Sequence, residues 1–282
     1  MMSFFAHWVH NLDPFVIKFN PGGPIEGIRW YGLAYLLGFI IAMWLLHIYH
    51  KKGKSPFDNE DQTTLITALI LGVIVGGRLG YMLLYDLPDF IRNPLIFFKF
   101  WEPGMASHGG FIGVCVAILW VSRHTHQPIF TTADICATLA PPGFFLGRIA
   151  NFINGELWGK ISDVSWAVIF PASSPHPGIP LEYIPARHPS QLYEAMLEGA
   201  ILLAYTQWRF WSKKPRRPGA LGGEFLIGYA ILRIIGEAFR EPDASLILGL
   251  SRGTFYSLLT AIFGLIILTI AHKKPREKHH NE

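Results

Sequence analysis

Seven long apolar runs constrain this chain more than any other feature. They cover roughly residues 29–49, 64–85, 109–123, 134–151, 190–210, 221–240 and 253–271. A bilayer-crossing helix needs about 20 mainly apolar residues, because hydrocarbon offers no water to satisfy backbone N–H and C=O groups. The third run is the shortest. The fourth contains Pro141-Pro142, which predicts a kink or break near its middle. Composition agrees: 51% of the 282 residues are hydrophobic and 16% charged, against about 25% charged in soluble domains. The expected fold class is an all-α membrane protein, a polytopic bundle of about seven transmembrane helices with an outward-facing loop or arm region. A single transmembrane domain is expected over 1–272, with outward loops at 86–108 and 152–189 and a short charged tail at 273–282. No cleaved export signal is expected over Met1 to Phe15, which lacks a basic start and is interrupted by Asp13-Pro14.

Basic residues in the loops orient the bundle. Lys51, Lys52, Lys54, Arg123, Arg209, Lys213, Lys214, Arg216, Arg217, Lys273, Lys274, Arg276 and Lys278 fall at one set of ends. The opposite ends hold Lys18, Arg92, Lys99, Lys160, Arg187 and Arg252. The richer set is therefore expected inside, with the N-terminus outside and the C-terminus in the cytoplasm. Trp101 and nearby phenylalanines suit the outer interface.

With that orientation, polar groups from several runs fall in one outer layer. Arg78, His108, Arg148, Gln191, Glu194, Glu198, Arg233, Glu237 and Arg240 all lie there, with Tyr31 at the start of the first run. Tyr229, Arg233, Glu237 and Arg240 step by helical spacing along one face, as do Gln191, Glu194 and Glu198. Gly72, Gly76 and Gly80 repeat every four residues beside Arg78, a pattern that lets helices approach closely. An ionisable group in a membrane segment costs about 2.5–3.5 kcal/mol on insertion scales, so each needs a partner or a role. Structural ion pairs, such as Arg78 with Glu194 or Arg233 with Glu237, are one account. Arginines outnumber acids in this layer, which points instead to an anionic ligand, because the guanidinium fork matches phosphate oxygens.

The densest polar cluster is Gly147-Arg148-Ile149-Ala150-Asn151-Phe152-Ile153-Asn154-Gly155-Glu156-Leu157-Trp158-Gly159, at the outer end of the fourth run. A second motif, Ser107-His108-Gly109-Gly110, borders the third run. His108 could serve as a general base, or could only hydrogen-bond at the interface. Other chemistries lack their residues. There is no GxSxG elbow, no HExxH and no His/Asp/Glu set at ligand spacing, so neither a metal nor a cofactor is expected. The two cysteines, Cys115 and Cys136, lie in apolar runs and read as inert thiols rather than a disulfide framework.

These motifs resemble the prolipoprotein diacylglyceryl transferases of bacterial inner membranes. The 147–159 stretch is similar to that family's signature. Further matches are Trp30-Tyr31-Gly32, Gly76-Gly77-Arg78-Leu79-Gly80-Tyr81, the Ser107-His108-Gly109-Gly110 motif, Arg187-His188-Pro189-Ser190-Gln191-Leu192-Tyr193-Glu194, and Gly228-Tyr229 through Arg233 to Arg240-Glu241-Pro242-Asp243. Almost the whole chain is covered; 160–186 and the tail are not. The resemblance implies transfer of a diacylglyceryl group from phosphatidylglycerol to the lipobox cysteine of a prolipoprotein signal peptide, with release of glycerol-1-phosphate. It implies catalytic roles for His108, Arg148 and Arg233. Substrate-binding roles follow for Tyr31, Arg78, Asn151, Asn154, Glu156, Gly159, Glu194, Tyr229, Glu237 and Arg240. Expected partners are phosphatidylglycerol, the prolipoprotein and membrane lipids, not nucleic acid. The site should face the periplasm. A lipid or anion transporter with an arginine-lined site is the alternative; such proteins usually carry internal repeats, and none is visible here.

Overall fold

The computed structural model describes residues 7–20, 22–23, 26–99, 104–212, 217–242 and 245–273. The expected interfacial Trp101, the loop residues Lys213, Lys214, Arg216 and Asp243, and the tail from Lys274 onward lie outside them.

The protein is mostly helical. Among the described residues nine α-helices follow in order: α1 (Trp30–Lys51), α2 (Asn59–Tyr85), α3 (Leu87–Arg92), α4 (Ser107–His124), α5 (Ile129–Ile153), α6 (Ser190–Glu194), α7 (Leu202–Trp211), α8 (Ala220–Glu237) and α9 (Arg252–Lys273). A π-helical segment, Ala195–Ile201, joins α6 to α7. Four of these helices, α1, α2, α5 and α9, are long and apolar enough to cross a membrane. The seven apolar runs all fall on helices, but length and composition single out these four.

Helix boundaries follow local chemistry. Asp58, in an extended conformation, caps α2 by accepting from the Glu60 and Asp61 amides, each at 2.9 Å. Gly53, at φ +64°, closes α1, and the Lys54 amide returns to the Tyr49 carbonyl at 2.8 Å. Helix α5 runs unbroken through Pro141 and Pro142, so no break occurs there. Membrane helices tolerate proline where neighbouring groups satisfy the carbonyls it frees.

The helices fall into two compact units. One comprises residues 1–18, 27–38 and 140–282; the other comprises 19–26 and 39–139. In the second, α2 and α4 meet along the expected glycine stripe. A Cβ at Gly72 would lie 2.6 Å from the Gly113 carbonyl oxygen, and one at Gly80 would lie 2.6 Å from the Gly109 Cα. Only hydrogen fits there, so the backbones themselves form the contact.

The described residues of the first unit include two short two-stranded sheets. β1 (Trp8–Val9) pairs in parallel with β4 (Val168–Ile169), in register Trp8↔Val168 and Val9↔Ile169. β2 (Phe15–Lys18) pairs antiparallel with β3 (Gly27–Arg29), which leads directly into α1. The loop after α5 is thus tied to the N-terminal segment. His10 and Phe170 pack ring to ring at 5.4 Å, and His10 and Phe152 at 5.6 Å, beneath the end of α5.

Candidate active site

Three arginines and three glutamates of the first unit form one buried network. Arg148, near the end of α5, reaches Glu194 through Nη1 at 2.8 Å and Glu198 through Nη2 at 2.9 Å. Arg233, on α8, contacts Glu194 at 2.6 Å, Glu198 at 3.4 Å and Glu237 at 2.7 Å. Arg240 reaches Glu194 at 3.4 Å. Two of the acids are almost fully covered: Glu194 is 0% exposed and Glu198 1%. Breaking such a buried pair from one side leaves a bare charge costing about 3–5 kcal/mol, so each member holds the others.

The four arginines counted in the sequence layer include Arg78 of the other unit, and this network holds three. Within it, carboxylates equal guanidinium groups in number, and Glu198 and Glu194 each serve more than one arginine. The Arg233–Glu237 pair expected from spacing is present. Arg148 directs Nε and Nη2 to Glu198 and Nη1 to Glu194. A guanidinium carries five N–H groups, so two of those on Arg148 remain for another acceptor. Its side chain keeps 17% of its surface.

Glu194 ends α6, and Glu198 lies in the π-helical segment that follows it. The wider turn sits where the chain after α6 passes α5, and such segments recur at functional sites. At Gly199 the two elements touch through backbone: a Cβ there would lie 2.6 Å from the Phe145 Cα and 2.9 Å from its nitrogen. That approach, one turn before Arg148, brings Glu198 within reach.

The turn after α5 forms a second cluster. The Asn151 amide donates to the Tyr31 hydroxyl and, at 2.9 Å, to Glu156 Oε1. Asn154 donates to the same oxygen at 3.4 Å. Gly159 sits where a side chain could not: its Cβ would lie 2.6 Å from both the His188 and Phe239 carbonyl oxygens. It bridges to Arg240, linking this turn to the segment after α8. Tyr229 is half-buried and packs against Phe144 at 5.3 Å between ring centres.

Arg78 and His108 belong to the other unit. Arg78 is 2% exposed and donates to backbone carbonyls of Ile96 (2.9 Å), Phe97 (3.4 Å), Lys99 (2.9 Å) and Gly104 (3.1 Å). It thus fastens to α2 the segment that leads into α4. His108 is the second residue of α4 and is partly exposed.

Several residues to which the sequence reading gave no site role join these two clusters. Glu198 was visible on the right helical face, and Gln191 and Ser190 are completely buried. Gln191 donates to the Glu156 carbonyl at 2.5 Å, and Ser190 to the Leu157 carbonyl at 3.0 Å. Outside the spans, His188 Nδ1 lies 3.1 Å from the Tyr193 hydroxyl, which accepts from Trp166 at 2.6 Å. Burial holds the His188 imidazole below its usual pKa, which favours the neutral ring. Cys115 and Cys136 are both free thiols, the second buried.

Comparison with known proteins now bears on this arrangement. The family profile described as prolipoprotein diacylglyceryl transferase matches residues 19–270. A relative from Photobacterium profundum is 44% identical over 265 residues, covering 93% of this chain and 94% of its own length. One from Shewanella oneidensis is 42% identical over 266 residues, covering 92% and 95%. Another from Proteus mirabilis is 42% identical over 281 residues, covering 94% of each. All three are named phosphatidylglycerol–prolipoprotein diacylglyceryl transferase. A match of that extent, running through every element that builds the two clusters, makes this chain a member of the prolipoprotein diacylglyceryl transferase family.

Proposed function

We propose that this protein transfers the diacylglyceryl group of phosphatidylglycerol to the lipobox cysteine of a prolipoprotein, the first step of lipoprotein maturation. The cysteine sulfur attacks the glyceryl carbon that bears the phosphodiester. The carbon–oxygen bond breaks, a thioether forms, and glycerol-1-phosphate leaves with the electron pair. The thiol proton passes to a base, for which His108 is the candidate. Family membership supports the transferase reading over a transporter.

The observation that carries the mechanism is the arginine–glutamate network around Arg148 and Arg233. Two free N–H groups on Arg148 suit phosphate oxygens, and the forks can stabilise charge developing on the leaving phosphate. Glu194, Glu198 and Glu237 hold those forks and Arg240 pairs with Glu194, while Tyr31, Asn151, Asn154, Glu156, Gly159 and Tyr229 shape the surrounding site. Arg78, to which the resemblance gives a substrate-binding role, holds the segment leading into α4, whose second residue is His108. The whole of 1–272 acts as one transmembrane catalytic domain of about seven spans, in the bacterial inner membrane. The C-terminus is cytoplasmic, and the site opens toward the periplasm, where exported signal peptides present their cysteine.

Purified protein incubated with phosphatidylglycerol and a lipobox peptide tests this reading. The peptide should gain the mass of a diacylglyceryl group on its cysteine. An unmodified peptide, with protein correctly inserted, would overturn it.

A further inference from the structure

The turn that carries Glu156 is bent against its own preferences. Gly155 sits at φ +66° and Leu157 at φ +55°. Glycine adopts the left-handed region freely; leucine does so only when its surroundings enforce it. Strain of this kind persists where packed structure over-determines the backbone, and it concentrates at functional sites. What enforces it here is visible on both sides of the turn.

On one side stands His10. Its Nε2 lies 2.7 Å from the Phe152 carbonyl oxygen, and its ring covers Gly155 so closely that a Cβ would fall 3.0 Å from it. On the other side stand two consecutive residues at the start of α6. Gln191 Nε2 donates to the Glu156 carbonyl at 2.5 Å, and Ser190 Oγ donates to the Leu157 carbonyl at 3.0 Å. Both side chains are wholly buried. The Gln191 Oε1 has no hydrogen-bond partner among the described residues. A buried amide side chain is anchored by the bonds it makes, and here that bond is the one to the Glu156 carbonyl. That bond fixes the peptide plane on which the Glu156 side chain is mounted. The Glu156 carboxylate then meets the Asn151 amide at 2.9 Å, and the same amide meets Tyr31.

We propose that Gln191, with Ser190 beside it, is a positioning residue that holds the 154–157 turn in its left-handed form and so aims the Glu156 carboxylate at Asn151. The role is one step removed from chemistry: neither side chain needs to touch lipid or peptide. The inference rests on placing Glu156 in the substrate site, but its first test does not depend on turnover.

Hydrogen exchange reads the lock directly. In Gln191→Leu, which keeps the size but loses the donor, the amides of residues 156–159 should exchange at least about tenfold faster, with α9 unchanged. Unchanged exchange at 156–159 overturns the proposal, whatever the activity. A double-mutant cycle then reads the route to chemistry. In the parent, Gln191→Leu should lower kcat by about 10-fold to 100-fold while KM for phosphatidylglycerol stays nearly constant. In a Glu156→Gln background the same change should cost less than about 3-fold, because the group being aimed is already altered. Equal losses in both backgrounds would make Gln191 a general structural residue and overturn the positioning role. Should Gln191→Leu fail to insert, Ser190→Ala carries both measurements with the same expected pattern and the same overturning results. Failure of the unsubstituted protein to modify any lipobox peptide would count against the transferase reading and leave the exchange result standing.

Discussion

Arg148 and Arg233 share two carboxylates, Glu194 and Glu198, and this makes guanidinium shape matter beyond charge. A lysine at either position keeps the charge but cannot address two acceptors in a plane. Arg148→Lys and Arg233→Lys should each lose about 10²-fold or more in turnover while still inserting. Steady-state kinetics in detergent checks this, and near-normal turnover of both would remove the phosphate-clamping role. For proton transfer the proposed base is His108. A peptide thiol has a pKa of about 8.5, so little is ionised at neutral pH, and a positioned base is typically worth about 10²–10⁴-fold. His108→Asn should lose about 10²-fold at pH 7 and regain part of it at high pH, where the thiol ionises unaided. A flat profile with near-parent rates would assign thiol activation to the arginines. The arginines and glutamates of the buried network were legible in the sequence because charge in an apolar run is conspicuous. The carbonyls that engage Arg78 were not, since backbone groups leave no mark on composition.

Among the elements, the helices were the easiest to anticipate and their local geometry the hardest. The glycine stripe of α2 announced a close helix contact, and α4 supplies it through Gly109 and Gly113. The run 190–210 is helical as expected, yet seven of its residues widen into a π-helix that no hydrophobic period signals. The parallel pairing of Trp8 with Val168 joins segments too distant in sequence for local patterning to reveal. Gly199, inside the π-helical segment, shows what that geometry serves. Gly199→Val would drive a side chain into the backbone at Phe145, separating α5 from the segment that carries Glu198. Overpacking of this kind typically costs about 1–3 kcal/mol. Thermal unfolding should report that loss together with reduced turnover. A parent-like melting temperature and rate would show that the close approach is dispensable.

At the scale of the whole molecule, the proposed orientation and the proposed chemistry make one account, in which the charged network lies on the side where exported peptides arrive. Exposed positions report this. A cysteine replacing His176 should react with a membrane-impermeant thiol reagent in intact spheroplasts, whereas one replacing Lys52 should react only after lysis. The opposite labelling would invert the charge-based orientation. The central claim is narrower still: the substrate's thiol, not the enzyme's, displaces phosphate from the glyceryl carbon. The most direct measurement uses the chain with Cys115→Ala and Cys136→Ala, phosphatidylglycerol labelled in its headgroup, and a lipobox peptide. The account predicts a diacylglyceryl thioether on the peptide and an equal amount of labelled glycerol-1-phosphate in solution. Label retained on the peptide or on the enzyme, or no transfer by an inserted cysteine-free chain, would contradict it.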